Sequence, residues 1–378
     1  VDVVHRTYTR DKGWSQPLPS ALDSERTLVL VFGASDYLDD HRALDELAAE
    51  FPRARRIGCS TAGEIEGTRV HDGSLAVAIA RFASTTLATH FADVNAARST
   101  LAGEELGKAL ARHDLRAVLV LSDGLDVNGT QLVAGINSSV PESVVVTGGL
   151  AGDGDRFRRT WVYDGRAPRS GRVAAVSFYG EAFVIGHGSK GGWDKFGPER
   201  TVTRASGNVL HELDGKPALA LYKEYLGDRA AGLPATGLLF PLAIRIANDD
   251  KVLVRTILAV NEAEGSMTFA GDIPTSCRAQ LMRANFDRLV QGAADAAAMT
   301  TRTGASGASQ KLSIAISCVG RRLVLAERTE EELEATFEVL PPTSVQVGFY
   351  SYGEISPYTT GPCDLHNQTM TLTVIGER

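Results

Sequence analysis

The stretch GCSTAGEI, residues 58–65, follows an apolar run, and the chain writes it again in altered form as GFYSYGEI at residues 348–355. Both copies place a glycine six residues before a glutamate, a hydroxyl side chain between them, and then Gly-Glu-Ile. The likeness continues past the turn. His71-Asp72-Gly73-Ser74 leads into one apolar segment, and His366-Asn367-Gln368-Thr369 leads into another. A looser third copy, GGLAGD at 148–153, ends in Ala-Gly-Asp. A repeated corner of this kind implies a repeated structural unit. The glycines permit a sharp turn or a close backbone approach.

The surroundings of each copy support that reading. TLVLVFG (27–33) is a short β-branched run and reads as a buried strand. Leu44, Leu47, Ala48 and Phe51 follow at helical spacing, and Pro52 closes the helix. GSLAVAIARF (73–82) then reads as a strand. The order strand, helix, strand, turn, strand recurs from AVLVLSDG (117–124) and again from KLSIAISCVGRR (311–322). The expected fold class is α/β, with two regions of mixed β-sheet and packed helices. Residues 1–26 read as an arm, 27–213 as an N-terminal domain and 214–378 as a C-terminal domain. Residues 183–210 read as a structured crossing, 214–227 and 277–299 as helices, and TGASGASQ (303–310) as a loop.

Bulk properties narrow the function. The chain has 378 residues, 43% hydrophobic and 22% charged, with a net charge of −7. That balance disfavours nucleic acid, which needs clustered Lys and Arg. No apolar run approaches the roughly 18–20 residues that span a bilayer. The first thirty residues lack the pattern of a secretory signal. The four cysteines have no framework spacing, so reduced thiols and a cytoplasmic location are expected.

The chemistry-bearing residues point to binding, not catalysis. Gly58-Cys59-Ser60-Thr61-Ala62 loosely matches a nucleophile elbow, but that motif needs a helix after the turn, and here a strand follows. A hydrolase using Ser60 or Cys59 is the weaker alternative. Cys363 and His366 form a C-x-x-H pair without the second pair that a structural zinc requires. The corner carboxylates Glu64, Asp153 and Glu354 sit where strands of α/β folds end and ligands gather; each could instead cap its own turn. An amino-acid ligand would set its ammonium against Glu354 or Glu64. Its carboxylate would meet Tyr350, Ser351, Tyr352, Asn367 or the fork of Arg321. Alternation along the strand puts Tyr350 and Tyr352 on one face. The principal pocket is therefore expected at Glu354, with His366 and Asn367 beside it.

The combination GCSTAGEI, GGLAGD, GWDKFGPERTVT, ELDGKPALALYKEYLG, GFYSYGEI and LHNQT resembles the FIST proteins, in both their N-terminal and C-terminal regions. The resemblance runs from about Thr27 onward. It implies a sensory module for small ligands in signal transduction, with amino acids as candidate ligands. For some free-standing bacterial members it implies haem binding, nitric oxide sensing and action on a partner histidine kinase. With no kinase segment read in this sequence, signalling is expected to pass through a separate protein. If haem binds, His187 is the candidate axial ligand. Flanking Gly186 and Gly188 would leave room for the macrocycle, Trp193 and Phe196 would line the slot, and Lys190, Lys195 and Arg200 would meet the propionates.

Overall fold

The computed structural model describes residues 1–246, 252–303, 309–358 and 361–378. The loop expected at 303–310 falls mostly outside them. The fold is mixed α/β, and its plan is a unit repeated three times. Each unit has a lead strand, two parallel core strands joined through a helix, a short hairpin and a closing strand. In unit one these are Asp2–Thr9, Thr27–Gly33, helix α1 (Arg42–Glu50), Arg55–Ser60, the hairpin Glu64–Glu66 with Arg69–His71, and Ser74–Arg81. The stretch read as an arm thus supplies a lead strand, paired along its whole length with the closing strand.

Unit two runs through Thr86–Asp93, helix α2 (Ser99–Leu110), Leu115–Ser122, helix α3 (Gly129–Asn137) and Val145–Leu150. Its hairpin is Val162–Tyr163 with Pro168–Arg169, and Arg172–Tyr179 closes it. Asn128 caps α3, its Oδ1 accepting from Gln131 N at 3.1 Å. Unit three has Phe183–Lys190 as lead strand. It resumes after a large insertion with helix α5 (Phe286–Thr303) and strand Lys311–Cys318. Two further helices follow, α6 (Val319–Leu325) and α7 (Thr329–Val339), then strand Ser344–Ser351. The hairpin Gly353–Pro357 with Cys363–His366 and the closing strand Met370–Glu377 complete it.

The hairpins do not stay with their own units. That of unit two extends the sheet of unit one, that of unit three extends the sheet of unit two, and that of unit one extends the sheet of unit three. The two regions expected from sequence therefore do not keep separate sheets, and the exchange runs in a closed ring.

Alternation along each core strand builds two layers. Leu28, Leu30 and Phe32 turn inward to meet Leu119, Leu121, Ile314, Ile316 and Phe349 of the other sheets in one central core. Phe32 stacks on Phe349 with ring centroids 4.9 Å apart. Val29 and Val31 turn outward onto Leu44, Leu47 and Phe51 around α1. The repeated glycine has a common cause. A Cβ at Gly58, Gly148 or Gly348 would stand 2.2, 1.8 or 1.8 Å from the carbonyl oxygen of Val31, Val120 or Ala315, its partner on the parallel neighbour.

The insertion, Asp194 to Arg283, is an antiparallel sheet wrapped on helix α4 (Ala218–Leu226) with its own apolar core. Here one sequence expectation is corrected. Residues 278–283 form a strand, and the helix read over 277–299 starts only at Phe286. Ala279 and Leu281 are buried while Arg278 and Arg283 are exposed, and Asn285 Oδ1 accepts from Arg288 N to start the helix.

Candidate functional site

The second core strands of the three units converge at one end and bond in a ring. Ala62 N donates to Tyr350 O at 2.7 Å, Gly152 N to Ser60 O at 2.9 Å, and Tyr352 N to Leu150 O at 3.2 Å. Glu64 and Glu354 occupy equivalent places in this ring, paired with Phe349 and Gly149. Each ties its hairpin to the start of its own closing strand. Glu64 accepts from Thr61 Oγ1, from Ser74 N at 3.0 Å and from Ser74 Oγ at 2.8 Å. Glu354 accepts from Ser351 Oγ at 2.6 Å, Thr369 N at 3.2 Å and Thr369 Oγ1 at 2.8 Å. Asp153 falls out of register, because Val162 takes the equivalent strand position, opposite Cys59. Residues 153–160 are extra at that corner. Asp153 pins them by accepting from Ser35 Oγ, from Arg156 and from the backbone of Arg158 and Arg159.

The corners differ in what covers them. At Glu64 a cleft of about 670 Å³ lies open, within the range of small-molecule sites. Its walls come from the Glu64 turn and hairpin, from α6 and the residues after it, and from Gly154, Asp155 and Arg156. Six carboxylates line it, Asp36, Glu64, Asp72, Asp155, Glu327 and Glu330, against two guanidinium groups, Arg156 and Arg322. Arg322 forks onto Asp72 at 2.8 and 2.6 Å and donates to Ala62 O at 2.6 Å. The fork holds Asp72 below its usual carboxylate range. Gly63 makes room for it, since a Cβ there would lie 2.5 Å from Arg322 Nη1 and φ is +132°. Burial pushes Glu64 up to about 7 against the pull of its donors.

At Glu354 the carboxylate is fully enclosed, and burial raises it to about 8. The inserted domain closes this corner. Arg255, itself buried, donates to Leu365 O at 3.1 Å, and Gln368 Nε2 reaches Leu238 O at 3.2 Å. The large open cleft thus stands at the N-terminal copy of the corner, whereas the sequence reading placed the principal pocket at the C-terminal copy.

The other expected site residues are spread through this frame. Ser351 serves Glu354. Tyr350 donates to Glu332 at 2.8 Å, and Tyr352 donates to Gly154 O at 3.1 Å. Arg321 spends its fork on the same Glu332, at 3.0 and 2.7 Å, with both side chains fully buried. His366 Nε2 lies 2.9 Å from Ser356 O. Asn367, buried in the position equivalent to Asp72, has no hydrogen-bond partner for its amide among the described residues. Ser60 Oγ accepts from Trp161 N at 3.0 Å, and the buried Cys59 thiol is raised by desolvation. Cys363 is buried, with its thiol 3.2 Å from Asn137 Oδ1.

His187 lies mid-strand opposite Thr373, and burial lowers its pKa. The packing beside it does not fit a haem. The face expected to be left free by Gly188 is filled by α5, whose Ala296 carbonyl would be 2.1 Å from a Cβ. Trp193 is committed to Gln368 O at 2.8 Å, and Arg200 to Tyr225 and Asp214. Sequence reasoning passed over Arg322, Arg156, Asp155, Glu327 and Glu330. Only Asp72 carried a signal, through the repeated His71-Asp72-Gly73-Ser74.

Comparison with known proteins gives the family. The FIST N domain model matches residues 27–216, and the FIST C domain model matches residues 218–357. No curated protein matches. Among solved structures, one described as "Structure of PurLQS from Thermotoga maritima" aligns at 10% identity over 100% of this chain and 72% of that chain, with a TM-score of 0.19. The chain belongs to the FIST family, whose domains are small-ligand sensory modules of signal transduction.

Proposed function

We propose that the Glu64 cleft is the sensory site, that it takes a small ammonium-bearing molecule of amino-acid type, and that occupancy is read by a separate signalling protein such as a histidine kinase. The observation that carries this reading is one open cleft in which, beside the ion-paired Asp36, Asp72 and Glu330, the carboxylates of Asp155 and Glu327 have no ion pair among the described residues. Carboxylates attract an ammonium, and low-dielectric walls strengthen that attraction. Asp155 and Glu327 are exposed at the rim. Arg322 supplies the complementary charge for a ligand carboxylate. Its present partner Asp72 keeps 72% of its side-chain surface in solvent, so exchanging that ion pair costs little.

Calorimetric titration with a panel of amino acids tests the reading. Binding is expected, and Arg322→Gln is expected to weaken it by about 1.5–3 kcal/mol, the range for a charge-assisted hydrogen bond. A panel without any binder, or an Arg322→Gln protein that binds as tightly as the parent, contradicts it. Haem and nitric oxide find no support in the packing at His187. A Soret band on haem addition that His187→Ala abolishes would reverse that judgement.

A further inference from the structure

The molecule departs from its threefold plan in two places, and both departures meet beside the Glu64 cleft. One is the extra segment 153–160 of unit two. The other is the inserted domain between the lead strand and α5 of unit three. The extra segment gives Asp155 and Arg156 to the charged cleft and Phe157 to a second cleft of about 580 Å³. The inserted domain gives Leu233, Leu239, Ile257 and Leu258 to that second cleft. The two clefts share Asp155 and Leu323 as walls.

The second cleft is apolar in an unusual way. Among the described residues nine large apolar side chains are exposed, and four of them, Phe157, Leu239, Leu258 and Leu323, line this one cleft. Single exposed apolar side chains are ordinary, but a contiguous exposed group marks a binding surface. Phe157 is also held there at a cost. Its φ of 50° is in the left-handed region, which a bulky residue rarely adopts. Its ring stacks on Tyr352 at 4.4 Å, fixing its position at the mouth of the cleft. Strain retained at one exposed aromatic residue suggests that its placement matters.

We infer that the site is bipartite and selects a single small molecule with an ammonium group and a bulky apolar group, such as an aromatic or large aliphatic amine of amino-acid type. The inference rests on the ammonium reading above and adds what the other half of the ligand must be. The ammonium end lies among the carboxylates. The apolar end crosses Leu323 and lies between Phe157 of the core and Leu239 and Leu258 of the inserted domain. Such a ligand touches both bodies at once, so its occupancy is expressed in how firmly the inserted domain is held against the core.

Calorimetry with glycinamide, leucinamide and phenylalaninamide separates the two claims, since all three carry one ammonium and differ only in the apolar group. Affinity is expected to rise about tenfold or more from glycinamide to phenylalaninamide, in line with burial of an aromatic side chain. Leu239→Ser and Leu258→Ser, both at exposed positions, are expected to erase that rise. If neither the amides nor glycine, leucine and phenylalanine bind, the ammonium reading falls and this inference falls with it; if only the amino acids bind, with no gain from the apolar group, the bipartite site alone is overturned. If all three amides bind alike, or if the rise survives both substitutions, the ammonium reading stands and the bipartite site is overturned.

Discussion

Glu64 and Glu354 make the same bonds and sit in different surroundings. Neither has a buried cation bonded to it, so desolvation dominates and the folded protein favours their protonated forms. A carboxyl raised on folding contributes stability that is complete below its unfolded value and is lost as pH rises through the folded value. For Glu354 the window runs from about 4.5 to about 8. Glu377 acts in the opposite direction. Burial works against its charge, but donors from Ala83, Ser84 and Thr85 outweigh this and hold it at about 2, so its contribution is lost only in strong acid. The melting temperature is therefore expected to fall between about pH 4.5 and 8 and to level off above that, and Glu354→Gln is expected to flatten that slope. An unchanged slope in differential scanning calorimetry would contradict the assignment. The adjacent arginines give a second test. Arg321→Met leaves Glu332 buried without its cation and should cost about 3–5 kcal/mol in urea unfolding. Arg322→Gln, which breaks a pair whose carboxylate is largely exposed, should cost about 1 kcal/mol or less. Equal costs would contradict the division of roles. From sequence the two glutamates were recognisable as a pair. The division between Arg321 and Arg322 was not, because only the packing of α7 decides which guanidinium turns inward.

At the scale of elements, the glycine that opens each corner string is explained by the parallel neighbour's carbonyl. Gly348→Ala should destabilise by about 3 kcal/mol, the upper range for overpacking. Gly67→Ala, where nothing lies within 4 Å and only a φ of +58° is strained, should cost about 1–2 kcal/mol. Urea unfolding of the two variants checks the difference, and a reversed order would refute the close-approach account. Most core strands were legible because apolar runs and their alternation are local properties. The segment 277–299 was misread because Met282, Phe286, Leu289, Val290 and Ala293 fit helical spacing across a boundary. The signal for the break was Asn285, whose side chain starts the helix. The extra segment 153–160 hid the register of Asp153 for a similar reason. The likeness of GGLAGD to the other strings stops just where the insertion begins.

At the scale of the whole molecule, the repeat was visible and the exchange of hairpins was not. Which sheet a hairpin joins depends on partners far away in the chain, as with Val162 and Cys59 or Gly348 and Ile65. No local pattern encodes that choice. The same holds for the covering of the corners. The sequence presents Glu64 and Glu354 as equals, and only the placement of the inserted domain closes one and leaves the other open. The central claim is therefore that ligand enters at the N-terminal copy. Hydrogen–deuterium exchange with mass spectrometry, with and without phenylalaninamide, compares the two copies within one molecule. The account predicts slowed exchange over 61–74 and 319–330, with 363–370 unaffected. Slowed exchange at 363–370 without any change at 61–74 would contradict it.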